Sequence, residues 1–269
     1  MYEGAWKGRK RDGQGVMRYA DGVVYEGSWK HDNMEGGGLM RYANGDMYEG
    51  SWKKGKMEGK GVCCYAGGAV YEGSWKDGKR EGQGVMHYAD GAEYEGSWKD
   101  DRRDEGQGVM HYADGAEYEG SWKDDKKEGQ GVIRLADCAV YEGLWKDDKR
   151  EGQGFMRLAN GVVYEGLWKD DKRDGQGRYR KADCAVYEGS RKDDKKDGQG
   201  VMRLAHGAAY ERSWKDDVMR YANGAVYGGL WRDDKGEGQG MCCYAHGDMY
   251  EGSWKDCQRE GRSRSDALY

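Results

Sequence analysis

The chain has 269 residues, of which 35% are charged, and its 45 basic and 50 acidic residues leave a formal net charge of −5. A balanced charge of this kind gives no footprint for nucleic acid. No apolar run approaches the ~18 residues of a membrane-spanning helix, and the amino terminus lacks the apolar core of a signal peptide, so we expect a cytoplasmic protein. The 11 Trp and 21 Tyr argue for an ordered fold.

A Tyr-Glu-Gly motif, or a close variant of it, recurs along the whole chain. It begins at Tyr2, Tyr25, Tyr48, Tyr71, Tyr94, Tyr118, Tyr141, Tyr164, Tyr187, Tyr210, Tyr227 and Tyr250. The step is 23 residues, except for one step of 24 after Tyr94 and one of 17 after Tyr210. A fixed period in this range is typical of an array of repeats and not of a globular domain with one closed core.

Each repeat is predicted to contain two β-strands. In the fourth repeat, Tyr71, Gly73 and Trp75 alternate with polar residues. This period of two indicates a strand with one aromatic face and one polar face. The second half of the repeat alternates in the same way from Gly82 to Tyr88, and nothing in the repeat shows helical spacing.

The two faces constrain how the strands of a repeat pair, because directly opposed residues lie on the same face. We expect the first position of a repeat to oppose the sixteenth, the third the fourteenth, and the fifth the twelfth. In the fourth repeat these pairs are Tyr71 with Met86, Gly73 with Gly84, and Trp75 with Gly82. On the polar face we expect an exposed ion pair between Lys76 and Glu81.

The connection to the next repeat carries Asp-Gly or Asn-Gly in many repeats, as at Asp90 and Gly91. A two-residue turn would place the next Tyr opposite Arg or His. We therefore predict a three-residue loop, such as residues 89–91, with its Gly in the left-handed region. Cys138 and Cys184 occupy this Gly position, so each is predicted either to adopt a positive φ at a cost of about 1 kcal/mol or to bend its loop.

The pattern predicts an all-β fold, an elongated single-layer antiparallel β-sheet of consecutive β-hairpin repeats that is twisted and open-ended. Residues 1–209 form repeats one to nine, and residues 210–226 form a shortened repeat that we predict to be a hinge. The shortened repeat lacks six positions, an even number that keeps the facing pattern. Residues 227–262 form the terminal repeats, the last one truncated, and residues 263–269 are predicted to be a disordered tail.

The pattern Tyr-x-Gly-x-Trp, followed by Gly-x-Gly and Asp/Asn-Gly, resembles the MORN (membrane occupation and recognition nexus) repeat over residues 2 to about 261. The resemblance implies β-hairpin repeats in an elongated, twisted sheet. It also implies self-association and a role in scaffolding, in docking at membranes or cytoskeletal structures, or as an appendage to enzymes such as phosphoinositide kinases. Binding of lipids has been proposed for the family.

The chain departs from the family pattern at several positions. The family's Gly at the eighth position is kept at Gly55 and Gly78, and Asp fills this position in most other repeats. Arg191 stands in place of Trp, Lys181 in place of Tyr or Leu, and Arg212 in place of Gly. We expect residues 181–226 to be the weak segment of the array.

No pattern in the sequence predicts a catalytic site, a cofactor or a metal site. The Gly-x-Gly steps lack the helix that a phosphate-binding loop needs, and the Lys-Asp-Asp-Lys turns lack the spaced oxygen ligands of a calcium loop. His87 and His111 lie two strands apart, roughly 10 Å, which is too far for one metal ion. Cys63 and Cys64 point to opposite faces, and we expect the seven cysteines to be reduced thiols.

The aligned aromatic rings are the remaining candidate surface. They are either the internal packing of the sheet or a partly open groove that binds a partner. In the second case the central repeats should carry the groove, through Tyr94, Trp98, Tyr118, Trp122, Tyr141 and Trp145.

Three functions remain open. We expect a non-enzymatic scaffold that docks other proteins at a membrane or cytoskeletal site, with self-association as one mode. The first alternative is a peripheral membrane module that binds anionic phospholipids, which the mixed charge of each turn disfavours. The second is the regulatory region of an enzyme whose catalytic domain is absent from this chain.

Overall fold

The structure is a computed structural model that describes residues 1–182, 184–203, 209–213, 218–221, 224–232, 235–244, 248–255 and 258–260. These residues form 24 β-strands and no helix. The strands are β1 (Tyr2–Lys7), β2 (Lys10–Arg18), β3 (Val24–Lys30), β4 (Asn33–Arg41), β5 (Met47–Lys53), β6 (Lys56–Cys64), β7 (Val70–Lys76), β8 (Lys79–His87), β9 (Glu93–Lys99), β10 (Arg102–His111), β11 (Glu117–Lys123), β12 (Lys126–Arg134), β13 (Val140–Lys146), β14 (Lys149–Arg157), β15 (Val163–Lys169), β16 (Lys172–Arg180), β17 (Val186–Lys192), β18 (Lys195–Arg203), β19 (Ala209–Ser213), β20 (Val218–Tyr221), β21 (Val226–Arg232), β22 (Lys235–Cys243), β23 (Met249–Lys255) and β24 (Gln258–Glu260).

The chain divides into two units. The first comprises Met1–Cys138 and Leu144–Asp148, and the second comprises Ala139–Gly143 and Lys149–Tyr269. In the first unit every strand from β1 to β12 pairs antiparallel with the next strand of the chain. In the second unit the same holds from β14 to β24. The predicted fold class, an open antiparallel sheet of consecutive hairpins, is confirmed.

The strand register within a repeat is only partly as predicted. In the fourth repeat Tyr71 opposes Met86, and the two glycines oppose each other, as expected. Trp75, however, opposes Arg80 and not Gly82, and Lys76 opposes Lys79, so the expected pair of Lys76 with Glu81 is wrong.

The cause is the turn at the tip of the hairpin. Asp77 and Gly78 have φ of 50° and 86°, as a two-residue type I′ turn requires. Such a turn sets the sixth position opposite the ninth. Between the pairs Trp75–Arg80 and Gly73–Gly84 the second strand has two more residues than the first, and they form a bulge. Gly82 lies in this bulge, with φ of 74°. The partner of Gly82 is Trp98 of the next repeat.

The loop between repeats has the predicted length. Tyr88 N–H donates to Ala92 O at 2.8 Å, and Gly91 N–H donates to Tyr88 O at 3.0 Å, which leaves residues 89–91 as the loop. Gly91 has φ of 90°. Cys138 and Cys184 have φ of 69° and 67°, so the prediction that both adopt the left-handed conformation is confirmed.

The shortened repeat still forms a hairpin, of β19 with β20. Tyr210 opposes Tyr221, whereas the register of the other repeats would place it opposite Met219. The register of this hairpin is thus shifted by two residues, and the expected facing pattern stays a prediction. Met219 opposes Tyr227 of the next repeat, as in the other connections. The hinge stays a prediction, and the predicted tail at 263–269 lies outside the described residues.

The core of each unit is the row of Tyr and Trp rings together with Met, Ala, Val and Cys side chains. The fully buried side chains of largest volume are tyrosines, among them Tyr25, Tyr48, Tyr71, Tyr94 and Tyr118. In the described part of the chain, no helix is long and apolar enough to cross a membrane.

Candidate partner-binding surface

The Tyr and Trp rings form a ladder along the repeats of the first unit. The Tyr94 ring meets the Trp98 ring of its own repeat edge to face, at 5.3 Å between centroids. It meets Trp122 of the next repeat in the same way, at 5.4 Å. Edge-to-face contact at this distance is the favoured geometry for aromatic pairs. Each ring therefore packs both within its repeat and across to its neighbour.

The glycines of the repeat make room for the Tyr ring. A Cβ at Gly96 would lie 2.5 Å from the Tyr94 hydroxyl oxygen, and a Cβ at Gly108 would lie 2.6 Å from the Tyr94 Cε2. The Tyr94 hydroxyl donates to Ser97 O at 3.1 Å. The ring thus lies flat across its own hairpin, and any larger residue at either glycine would displace it.

The Trp side chain ties one repeat to the one before it. Trp98 Nε1 donates to Gly84 O at 3.1 Å, and Trp122 Nε1 donates to Gly108 O at 3.3 Å. Because a buried indole N–H needs an acceptor, this bond fixes the ring in place. The bond joins Trp98 to the strand in which its register partner, Gly82 of the preceding repeat, also lies.

All six residues proposed for the groove are buried, with exposed fractions between 0% and 6%. Tyr94, Trp98, Tyr118, Trp122 and Trp145 lie in the aromatic row of the first unit. Tyr141 belongs to the second unit, where it meets Trp168 at 5.3 Å. In this structure the six side chains are packing residues, and contact between them and a partner stays a prediction.

Burial also changes the ionisation of the row. Desolvation raises the pKa of the buried tyrosines, for Tyr25 and Tyr71 to about 12. It raises the pKa of Tyr94 and Tyr118 as well. A hydroxyl that holds its proton this firmly donates a hydrogen bond at neutral pH and does not act as a base.

An arginine–aspartate clamp covers the row. Arg80 lies with its guanidinium 4.3 Å from the Trp98 ring. Its backbone N–H and Nε donate to Asp101 Oδ1 at 2.9 and 3.2 Å, and Nη2 donates to Asp101 O at 2.6 Å. Asp101, at the eighth position of its repeat, has φ of 69°. The Asp that replaces the family's Gly is therefore an acceptor for the preceding repeat.

The clamp accounts for the two repeats that keep glycine. Gly55 and Gly78 follow Met34 and Met57, which stand where most other repeats carry Arg or Lys. The backbone bonds remain, since Gly55 N–H donates to Met34 O at 3.0 Å and Gly78 N–H donates to Met57 O at 2.9 Å. The tenth position of one repeat and the eighth of the next thus carry either a charged pair or a Met–Gly pair. This correlation is present in the sequence, but we did not predict it. It links the tenth position of one repeat to the eighth of the next, and the comparison of positions within one repeat does not show it.

Ion pairs between neighbouring repeats neutralise the hairpin tips. Lys79 Nζ lies 2.7 Å from Asp100 Oδ1, and Glu81 accepts from the Asp100 N–H at 3.3 Å. The hydrogen bond from Lys79 lowers the pKa of Asp100. The same Lys–Asp pair recurs at Lys56 with Asp77. Lysines of the hairpin tips thus form ion pairs with aspartates of the next repeat.

The polar face opposite the aromatic row carries a regular row of carboxylates, which we call the carboxylate face, beside Lys at the sixth position of each repeat of the first unit. It consists of Glu at the second position and of apolar residues at the fifteenth, in the first unit Glu3, Glu26, Glu49, Glu72, Glu95 and Glu119 with Val16, Leu39, Val62, Val85, Val109 and Val132. Val85 opposes Glu72 on one side and Glu95 on the other. A depression of about 520 Å³ lies on this face between Glu49 and Glu95, over the glycine pairs.

The second unit carries a similar depression of about 560 Å³ on the same face, bounded by Arg178, Glu188 and Val201. Phe155 occupies the fifteenth position there and is 38% exposed. The alternation of the strands shows this face in the sequence, but its repeated pairing of carboxylate with apolar side chain was not predicted.

The histidines and cysteines form no grouped site in the residues that the structure describes. His87 Nδ1 lies 2.9 Å from Glu93, and His111 Nδ1 lies 3.4 Å from Glu117. Six cysteines in this part of the chain are free thiols, and Cys257 lies outside it. No group of three His, Cys, Asp or Glu among the described residues is placed to hold a metal ion.

This geometry defines a β-hairpin repeat protein. A family model for the MORN repeat matches residues 2–24, 25–47, 48–70, 71–93, 94–117, 118–137, 141–163, 164–183, 187–207 and 227–249. The chain therefore belongs to the MORN repeat family. The comparison with curated proteins gives no match.

Two solved structures show a weak likeness to the chain. The TCP10 domain of Danio rerio CPAP in complex with a peptide of STIL has a TM-score of 0.46 and 12% identity, covering 80% of this chain and 95% of that one. The Drosophila melanogaster SAS-4 TCP domain in complex with a proline-rich motif of Ana2 has a TM-score of 0.29 and 13% identity, covering 74% and 90%. Scores of this size carry no argument about function.

Proposed function

We propose that the chain is a non-enzymatic scaffold that docks partner proteins through its carboxylate face. The observation that carries the proposal is the division between the two faces of the sheet. The aromatic rings are buried in packing, whereas Glu49, Glu72 and Glu95 are exposed around a depression. A surface that repeats with the same chemistry every two strands, roughly 10 Å, can contact an extended partner at several points.

The chemistry of this face indicates the kind of partner. Rows of carboxylates beside half-buried valines fit an extended protein segment that carries Lys or Arg next to apolar side chains. We propose an unlike partner protein and not a second copy of the chain as the main occupant of this face. We propose that the docking serves to hold partners at a membrane or cytoskeletal site.

The hairpin tips disfavour anionic lipid as the main ligand. Recognition of acidic lipid needs several Lys or Arg without compensating acids. Here Lys56, Lys79, Lys126, Lys149 and Lys172 each contact an Asp of the next repeat. We expect no sedimentation of the chain with phosphatidylserine vesicles at physiological salt. A longer transcript that encodes a catalytic domain would favour the enzyme-regulatory alternative.

The scaffold proposal is tested by affinity capture with charge variants of the carboxylate face. Glu72→Lys with Glu95→Lys should lose partners that the wild type retains, with an unchanged urea midpoint. The matched control is Lys30→Glu with Lys76→Glu, on the same face, which should retain or strengthen binding. Partners that bind the Glu-to-Lys variant as well as the wild type would contradict the assignment of this face.

A further inference from the structure

The ninth repeat carries an arginine inside the aromatic row. Arg191 stands where the other repeats carry Trp, and its side chain is only 7% exposed. Its guanidinium lies 5.0 Å from the centroid of the Tyr179 ring, 5.3 Å from Tyr187 and 5.8 Å from Tyr164. A cation therefore occupies a site that elsewhere holds an apolar ring.

The hydrogen bonds of Arg191 are incomplete. Its Nη1 donates to Asp194 O at 2.8 Å, but its Nε is buried and has no hydrogen-bond partner. In the repeats before it, the corresponding carbonyl accepts from the clamp arginine, as Asp171 O does from Arg150. In the ninth repeat Arg191 donates to this carbonyl, and the Arg173 side chain donates to the Asp194 carboxylate, at 2.7 Å from its Nε.

A cavity of about 230 Å³ opens beside the two arginines. It is lined by Arg173, Tyr179, Lys181, Tyr187, Arg191, Lys196 and Met202. Four of these residues are cations, and none is acidic. Lys181 and Arg191 are both departures from the family pattern, and the structure brings them to the same cavity.

The charge balance of the cavity indicates a missing anion. The Asp194 carboxylate accepts from Arg173, whereas Arg191 donates to the backbone carbonyl of Asp194. Burial, and next the charge of Arg173, lower the pKa of Arg191, so the surroundings disfavour its charged form. A buried cation without a full set of partners is costly, and an anion in the cavity would supply them.

We propose that this cavity binds a phosphate group, with the guanidinium groups of Arg191 and Arg173 as its main ligands. The planar guanidinium matches the oxygen spacing of phosphate, and such charge-assisted hydrogen bonds are among the strongest in proteins. Since one water occupies roughly 30 Å³, the cavity is large enough for a phosphate group with part of its hydration shell. The group belongs to a soluble phosphate compound or to a lipid headgroup.

The test is a titration of the whole chain with inorganic phosphate and with pyrophosphate, followed by calorimetry and by the thermal midpoint. Potassium chloride of equal ionic strength serves as the blank. Wild type should show saturable binding and a rise in the thermal midpoint. Arg191→Trp, which restores the residue of the other repeats, should weaken binding about tenfold or more. Lys192→Gln, on the same strand but the opposite face, should bind as the wild type does.

Two further arms keep the result interpretable. Arg191→Gln covers the case in which Arg191→Trp fails to fold, as judged by circular dichroism, and should lose binding to the same extent. A further arm compares vesicles that contain phosphatidylinositol phosphate with vesicles of phosphatidylcholine alone. A lipid headgroup is the source of the phosphate if the chain binds the first vesicles and neither the second vesicles nor the soluble phosphates, and if Arg191→Gln abolishes this binding. The proposal is overturned if no phosphate form binds saturably, or if the Arg191 variants bind as tightly as the wild type.

Discussion

A Trp ring of the central repeats is held by groups from its own repeat and from the repeat before it. Trp122 packs edge to face against Tyr94 and Tyr118, and Arg103 lies 4.3 Å from its ring. Its indole N–H is bonded to Gly108 O. Loss of the ring therefore removes packing from two repeats at once.

We expect Trp122→Ala to lower the free energy of unfolding by about 3 kcal/mol or more, measured by urea denaturation. The matched control is Trp6→Ala, because Trp6 holds the same position in the first repeat but is 56% exposed. It should cost about 1 kcal/mol or less. Equal losses in both variants would show that the central ring is not core.

The glycines under the Tyr ring give a second prediction at the scale of the residue. Gly108→Ala would place a methyl group 2.6 Å from Tyr94 Cε2, so it should destabilise the chain by about 1–3 kcal/mol. A methyl group at Gly37 would instead point into open space, with no contact within 4 Å. Gly37→Ala should leave stability unchanged or raise it by about 0.5–1 kcal/mol. Both effects are read from urea midpoints, and a tolerated Gly108→Ala would contradict the packing described for Tyr94.

At the scale of the hairpin, the clamp couples one repeat to the next. Arg80 is largely buried by its contacts with Trp98 and Asp101. Where Met57 and Gly78 replace the charged pair, the backbone hydrogen bond between the two repeats is still formed. The tenth and eighth positions of successive repeats should therefore tolerate joint exchange better than separate exchange.

A double-mutant cycle on Arg80→Met and Asp101→Gly measures this coupling. We expect the loss of unfolding free energy in the double variant to be smaller than the sum of the losses in the two single variants, by about 0.5–1.5 kcal/mol. The expected coupling is modest because the Asp101 side chain is 46% exposed. The cycle is read from urea denaturation at low and high salt. Strict additivity would mean that the two residues act independently and that their correlation in the sequence has another cause.

At the scale of the whole molecule, the buried tyrosines make the fold sensitive to alkali. Burial raises the pKa of Tyr25 and Tyr71 to about 12, while an unfolded chain titrates its tyrosines near 10. The stability that the protonated hydroxyls provide is therefore complete below about pH 10 and is lost as the pH rises through about 12.

We expect unfolding between about pH 10 and 12, with tyrosinate absorbance and the loss of circular dichroism rising together. The control is the same titration in concentrated urea, where the absorbance should rise near pH 10. Full tyrosinate absorbance near pH 10 with an unchanged circular dichroism spectrum would contradict the burial of the row.

Much of the fold could be predicted from the sequence because the strand period of two sorts residues by face. That period gave the hairpins, the pairing of Tyr71 with Met86 and the three-residue loop at Gly91. It could not give the partner of Trp75, since a slip of two residues keeps the same face. The tip turn at Asp77 and Gly78 decided that register, at the cost of a bulge at Gly82.

The candidate site could be predicted less well. The aromatic row was identified from the sequence, but whether it is open or buried depends on contacts between repeats, such as Trp98 with Tyr71 and with Arg80. The correlation of Met57 with Gly78 becomes visible only once strand pairing shows which positions meet. The cavity at Arg191 combines residues of two repeats, and spacing within one repeat does not indicate it.

The central claim is that the aromatic row is packing and that the carboxylate face is the open surface. Hydroxyl-radical footprinting of the whole chain, read residue by residue, tests it most directly. Trp98, Trp122 and Trp145 should be strongly protected, while Trp6 and Phe155, at 56% and 38% exposure, should react readily. Oxidation of the three central Trp residues as fast as Trp6 would contradict the account and would restore the aromatic groove as the binding surface.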